Sequence, residues 1–334
     1  MEKIFLDYST YNMKESKTAW SKARLDCGII LEKYGYKKKI LFISRNSLIK
    51  TLISVTKNLL KIKKHTNVII QYPLGDNSSY ITSLATKVCK IKQCNITLLI
   101  HDINSLRYTG KLSDEEIQIF KAANNIIVHN NSMLRIINSH ITNVNLYILQ
   151  AFDYFINNEA QQHVFDNTIV YAGNLQKSKF LINIKELGIK FNLYGSKINN
   201  IESLCNDNVQ YKGAFQQEDL SILSGDWGLI WDGTSATTCD GCYGQYLKYN
   251  APHKLSLYII AKLPIIIWDQ AAEAEFITNN KLGVTVKSLY DINNIISKIS
   301  KEEYCNIKKN VEIYSEKLKN GLNLASILKK LNTK

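Results

Sequence analysis

The sequence predicts an α/β protein built from two Rossmann-like domains. Short β-branched runs alternate with amphipathic helical stretches through the first half, as βαβ units with a parallel sheet do. The alternation lapses over 152–166 into Asn, Gln and acidic residues, then resumes with Asn167-Thr168-Ile169-Val170-Tyr171-Ala172-Gly173. The domains are therefore expected at 1–155 and 156–334. Open α/β sheets bind ligands beyond the carboxyl ends of their strands, so the two are expected to face each other across a cleft lined by those ends.

Strands of the first domain are expected at 3–6, 39–43, 67–72, 96–101, 126–129 and 145–148. Helices fit 17–33, 47–63, 78–92, 113–123 and 132–140, and Ser113 with Glu116 three residues on spells a capping box. In the second of these helices Leu48, Leu52, Val55, Leu59 and Ile62 form a stripe for the core, with Lys50, Ser54, Lys57, Lys61 and Lys64 on the other face. The second domain offers strands at 190–194, 209–212, 227–231, 264–268 and 283–286, helices between most of them, and helices from Leu289 onward.

Composition narrows the function classes. The 334 residues are 45% hydrophobic and 21% charged, which excludes collagen-like and wholly disordered chains. Seven cysteines, an odd number, read as reduced thiols. Met1 to Asp7 lead straight into a strand without a signal-peptide pattern, and apolar runs such as 96–100 and 264–268 are strand-sized. A cytoplasmic protein is expected. Of the 42 basic residues behind a net charge of +13, only four are arginine, so bulk charge and not base reading is indicated, and nucleic acid is not expected as a partner. From Lys33 to Lys64 there are ten basic residues and no acid. That basic helix either meets an anionic membrane at the inner face, at about 1 kcal/mol per lysine, or faces solvent.

The chemistry is narrowed first by absences. Without G-x-G-x-x-G or G-x-x-x-x-G-K-[ST], dinucleotide oxidoreductases and P-loop NTPases are disfavoured. Without D-x-D, sugar-nucleotide chemistry here is expected to need no metal. The glycine-rich polar stretch from Asp232 to Lys254 follows one strand and precedes a helix. Its glycines let amides approach an anion, Lys248 can neutralise it, and the helix start adds unpaired N–H groups; a long surface loop is the plainer alternative. Cys239-x-x-Cys242 has no matching second half for zinc.

The runs Gly228-Leu229-Ile230-Trp231-Asp232, Cys239-Asp240-Gly241-Cys242-Tyr243-Gly244-Gln245-Tyr246-Leu247-Lys248, Asn250-Ala251-Pro252-His253-Lys254 and Leu263-Pro264-Ile265-Ile266-Ile267-Trp268 resemble a family of bacterial GT-B glycosyltransferases. Gln71-Tyr72-Pro73 and His101-Asp102-Ile103-Asn104-Ser105-Leu106-Arg107 extend the resemblance to the first domain. The family includes glucosyltransferases that extend O-linked GlcNAc on serine-rich repeat adhesins, and β-1,6-galactofuranosyltransferase-like proteins. The resemblance implies a GT-B fold and transfer of a hexose from a UDP-sugar, glucose first, to a glycan-bearing acceptor such as a glycosylated adhesin. Galactofuranosyl or N-acetylglucosaminyl transfer in surface glycan synthesis, and a non-catalytic GT-B partner of another transferase, are the alternatives. It implies β-linked products, hence inversion, and makes a homo-oligomer an expectation.

The resemblance places UDP on the second domain, with Tyr211 near the nucleotide and Gly244, Gln245, Tyr246, Leu247, Lys248 and Tyr249 around the diphosphate. Tyr194 at a strand end can pack on the base or simply end its strand. Lys177 and Lys179, after another strand, can reach the same phosphates. Ser16, in a loop expected over 7–17, and Thr18 just after it can contact donor or acceptor, or cap a helix. His101 or Asp102, ending a strand of the first domain, is the expected base for the acceptor hydroxyl. Arg107, expected in the following loop, holds the acceptor or fixes that carboxylate.

Overall fold

The computed structural model describes residues 1–10, 19–44, 46–75, 79–160 and 164–332. They divide into two compact units, 1–149 with 324–334, and 150–323. The sequence put this boundary at 155/156 and gave the whole C-terminus to the second domain. The returning segment carries Leu324, Ala325, Ile327 and Leu328, all buried.

The first unit runs β1 (Lys3–Thr10), α1 (Ala19–Lys33), β2 (Lys37–Ile43), α2 (Leu48–Leu60), β3 (Asn67–Tyr72), α3 (Ser79–Ile91), β4 (Asn95–Ile100), α4 (Asn104–Thr109), α5 (Asp114–Lys121), β5 (Asn125–Val128), α6 (Asn131–Asn138) and β6 (Asn145–Ile148). Its strands form one parallel sheet in the order β2-β1-β3-β4-β5-β6. Val68 to Ile70, Leu98 to Ile100 and Ile126 to Val128 are buried, as expected of strands covered on both faces. Ser113 does cap α5 in a capping box with Glu116.

Three expectations are corrected here. β1 continues to Thr10, so Asp7 lies inside a strand and not in a loop. Arg107 sits in the short helix α4, closed by Gly110 in the left-handed conformation, and not in a loop. In α2 the buried positions are Thr51, Val55 and Leu59, while Leu48 at its start is 67% exposed.

The second unit runs β7 (Ile169–Ala172), a 3-10 stretch (Lys179–Leu187), β8 (Phe191–Tyr194), a 3-10 turn (Ile201–Leu204), β9 (Val209–Gly213), β10 (Trp227–Ile230), α7 (Gly241–Tyr246), α8 (His253–Ile260), β11 (Ile265–Trp268), α9 (Ala274–Asn279), β12 (Gly283–Val286), a 3-10 turn (Leu289–Asp291), α10 (Ile292–Ile296) and α11 (Lys301–Lys319). The helix α12 (Leu322–Asn332) begins there and ends in the first unit. The sheet is again parallel, in the order β12-β11-β10-β7-β8-β9. Within the unit this is the doubly wound order whose direction reverses between its first and fourth strands, β7 and β10. The crevice at that reversal, beyond the carboxyl ends, is where such sheets bind ligands. Two such sheets with their helices are the GT-B type of architecture. Among the described residues no helix is long and apolar enough to cross a membrane.

Candidate functional site

Three polar side chains meet at the reversal point of the second sheet. Tyr171 is next to last in β7, Asp232 follows β10, and Lys254 stands in the first turn of α8. Lys254 Nζ lies 2.8 Å from Asp232 Oδ1 and donates to Tyr171 Oη at 3.0 Å. Burial alone would lower the Lys254 pKa; the Asp232 carboxylate, with Tyr171 and Tyr258, overrides it and holds the ammonium above its ordinary value. Burial likewise raises the phenol of Tyr171, whose hydroxyl is hydrogen-bonded to Ser178 Oγ. Tyr258 accepts the Ala172 N–H at 2.9 Å and ties α8 to the end of β7. Gly173 comes next: a Cβ there would sit 2.9 Å from Lys254 Cε, so the backbone turn hugs the lysine.

The glycine-rich stretch is a structured corner instead of a loop. Residues 241–246 form α7. Asp240 before it accepts from the backbone and hydroxyl of Thr234, the latter at 2.6 Å, and these hydrogen bonds hold its pKa below the ordinary value even though burial pushes the other way. A Cβ on Gly244 would come within 2.6 Å of the Asp232 carbonyl oxygen and of the Cys239 carbonyl carbon. That glycine is explained by backbone packing. Gln245 Nε2 donates to the Cys239 carbonyl at 2.6 Å, and Tyr246 and Leu247 are buried. Tyr249 is half-buried, its N–H bonded to the Tyr246 carbonyl.

Lys248 has a different environment from Lys254. Its Nζ lies 5.3 Å from the centre of the Trp268 ring, and no carboxylate pairs with it among the described residues. The Nε1 of that Trp268 is buried without a hydrogen-bond partner among the described residues, as are Asn250 Oδ1 and Asp269 Oδ1. Buried polar atoms left this way are rare unless a ligand or water completes them.

Lys177 is exposed and donates to Tyr243 Oη at 3.0 Å, linking the β7 loop to α7; Lys179 is exposed at the start of its 3-10 stretch. Tyr211 donates to the Gly195 carbonyl at 3.0 Å. Tyr194 is buried, its hydroxyl donating to Ile222 O and accepting from the Ser224 N–H, both at 3.0 Å; these contacts account for it as a strand-end core residue. Cys239 is buried and its thiol is pushed up by burial, the reverse of what a thiolate ligand needs. Ser16 and Thr18 lie outside the described residues.

In the first unit His101 follows β4 and Asp102 follows His101, both buried. His101 Nε2 lies 2.8 Å from Gln71 Oε1; with the amide oxygen accepting, the ring proton sits on Nε2 and Nδ1 carries the lone pair. Asp102 is ion-paired with Arg107 from α4, and α4 is docked through Ser105 Oγ to the buried Glu116 of the capping box. Gln71 is itself braced, because Arg24 Nη2 donates to its carbonyl at 2.9 Å while pairing with Asp7 at 2.7 Å. Asp7 Oδ1 also accepts the Arg24 Nε–H at 2.9 Å. This Asp7–Arg24–Gln71 support was not legible beforehand, since nothing in the spacing of three residues on three elements links them.

Comparison with known proteins places the chain in a family. The family model described as "Glucosyltransferase 3-like, C-terminal domain" matches residues 169–331, and "Glucosyltransferase 3-like, N-terminal domain" matches residues 8–151. The β-1,6-galactofuranosyltransferase WbbI of Escherichia coli (strain K12) is 32% identical over 79% of this chain and 78% of its own. Glucosyltransferase 3 of Streptococcus gordonii is 26% identical over 76% of this chain and 75% of its own. Among solved structures, sucrose-phosphate synthase of Thermosynechococcus elongatus superposes with a TM-score of 0.66 at 11% identity, covering 100% of this chain and 98% of that one, which is a likeness of fold.

Proposed function

The chain belongs to the glucosyltransferase 3-like family of GT-B glycosyltransferases, and from that premise we propose that it transfers one hexose from a UDP-sugar to a glycan-bearing acceptor without a metal ion. The observation that carries the donor reading is Lys248, a lysine with no paired carboxylate among the described residues, which lies beside the ring of Trp268, whose buried indole N–H lacks a partner there. A diphosphate supplies the charge for the lysine and acceptor oxygens for the Trp268 N–H. Lys254 and Asp232 neutralise each other and shape the corner, while Lys177 and Lys179 add positive charge from the β7 loop. Tyr211 stands by the nucleotide in this reading.

In the transfer, the acceptor hydroxyl oxygen bonds to the anomeric carbon as the bond from that carbon to the phosphate oxygen breaks. The electron pair leaves on UDP, and protein cations replace the metal in stabilising it. His101 takes the hydroxyl proton on Nδ1, with Gln71 holding the ring and Arg107 holding Asp102 beside it. Attack opposite the leaving group inverts the anomeric centre.

UDP-glucose and an O-GlcNAc-bearing adhesin are the leading donor and acceptor. UDP-galactofuranose is the alternative donor, supported by the 32% identity to the galactofuranosyltransferase. Donor turnover measured over UDP-glucose, UDP-galactofuranose and UDP-GlcNAc in the presence of EDTA tests the proposal. Turnover of one of them is expected. UDP binding without turnover would identify a non-catalytic partner, and activity restored only by manganese or magnesium would contradict metal independence.

A further inference from the structure

Helix α2 buries one face and leaves an apolar one uncovered. Thr51, Val55 and Leu59 are buried, while Ile49, Ile53 and Leu60 are 71%, 63% and 62% exposed. At 3.6 residues per turn these three lie within about 40° of one another around the axis, and Lys50, Lys57 and Lys61 form a second stripe about 80° further round. Both stripes point away from the buried side. The helix is held firmly in the fold: Ser47 Oγ accepts the Lys50 N–H at 3.2 Å, and Lys92 Nζ donates to the carbonyls of Leu60 at 2.8 Å and Ile62 at 2.6 Å.

We propose that α2 docks this protein on an anionic lipid bilayer. An exposed apolar stripe flanked by lysines is the pattern of a helix lying in a membrane interface, with isoleucine and leucine at the acyl boundary and lysine stems reaching the phosphates. The surrounding segment from Lys33 to Lys64 carries ten basic residues and no acid, which complements an anionic surface. A second copy laid symmetrically on the same face would set lysine against lysine. This inference is independent of which sugar is transferred.

The test uses the whole chain in sedimentation with vesicles of equal parts phosphatidylcholine and phosphatidylglycerol, and with pure phosphatidylcholine. Binding is expected to the anionic vesicles and to weaken steeply as salt rises from about 0.1 M to about 0.5 M. Ile53→Ser with Leu60→Ser should weaken it at least tenfold, and Lys57→Ala or Lys61→Ala by roughly fivefold each. These positions are exposed, and an unchanged melting temperature will show the fold retained; the lipid and salt comparison on the unaltered protein needs no variant. Equal binding to both vesicles, or to neither, overturns the proposal. So does a sedimentation-equilibrium mass above one chain that falls to one chain in the double variant, which would assign the face to a second copy.

Discussion

Lys248 and Lys254 stand six residues apart at one corner of the second unit and do different things. Asp232 at 2.8 Å already balances Lys254, so the charge available to a ligand belongs to Lys248. Lys248→Ala should weaken UDP by ten- to hundredfold, the loss expected when a charged partner worth about 1.5–3 kcal/mol is removed. Calorimetric titration reads it, and an unchanged affinity would take the residue out of the site. In the first unit His101 and Asp102 separate in the same manner, since Asp102 is committed to Arg107 and His101 is oriented by Gln71. His101→Ala should reduce turnover by roughly 10² to 10⁴ with UDP affinity intact, and Asp102→Asn by less. The opposite ranking in steady-state assays would move the base to Asp102. Lys248 stands out in the sequence as a candidate because a lysine among glycines near a helix start suits an anion. The Lys254–Asp232 pair does not, because 22 residues separate partners that only strand pairing brings together.

At the scale of elements, α7 shows why a glycine-rich stretch need not be a loop. With Gly241 and Gly244 in six residues its intrinsic helix propensity is poor. It forms because Asp240 organises the turn before it and because Gly244 lets its backbone settle against Asp232 and Cys239. Gly244→Ala places a methyl group against backbone atoms that cannot rotate away, and should cost about 1–3 kcal/mol. Denaturant unfolding measures it; a neutral result would show that the corner has room to relax. Helix α2 is the complementary case. Its heptad-like pattern correctly gave a buried Val55 and Leu59, but the pattern cannot tell a second apolar stripe from the first when both recur at helical spacing.

For the molecule as a whole, stability in mild acid should be governed in part by His129. Burial lowers its pKa to about 4, and neutral Nε2–H donates to the Ile100 carbonyl at 3.0 Å. An unfolded histidine takes up a proton near pH 6.5, so between that value and about pH 4 the unfolded chain binds more protons than the folded one. Stability is therefore complete above about pH 6.5 and falls as pH drops through that window. The loss from this one group between pH 7 and pH 5 should be about 2 kcal/mol. His129→Gln, whose amide can still donate to Ile100, should flatten the dependence; chemical denaturation at the two pH values compares the slopes, and parallel slopes would place the proton uptake elsewhere.

The order of residues alone carries the class of each sheet, the alternation of strands and helices, the Ser113 capping box and the excess of lysine, and it offers the Lys248 stretch as a candidate. These follow from period and local composition, which act over a few residues. Packing decided the strand orders, and with them the reversal between β7 and β10 where Tyr171, Asp232 and Lys254 meet. It also decided that Gln71 faces His101, that Arg24 engages Asp7, and that Ile49, Ile53 and Leu60 lie uncovered. Each of these depends on which distant segment packs beside which, and a hydrophobic pattern records that a face is apolar without recording what covers it.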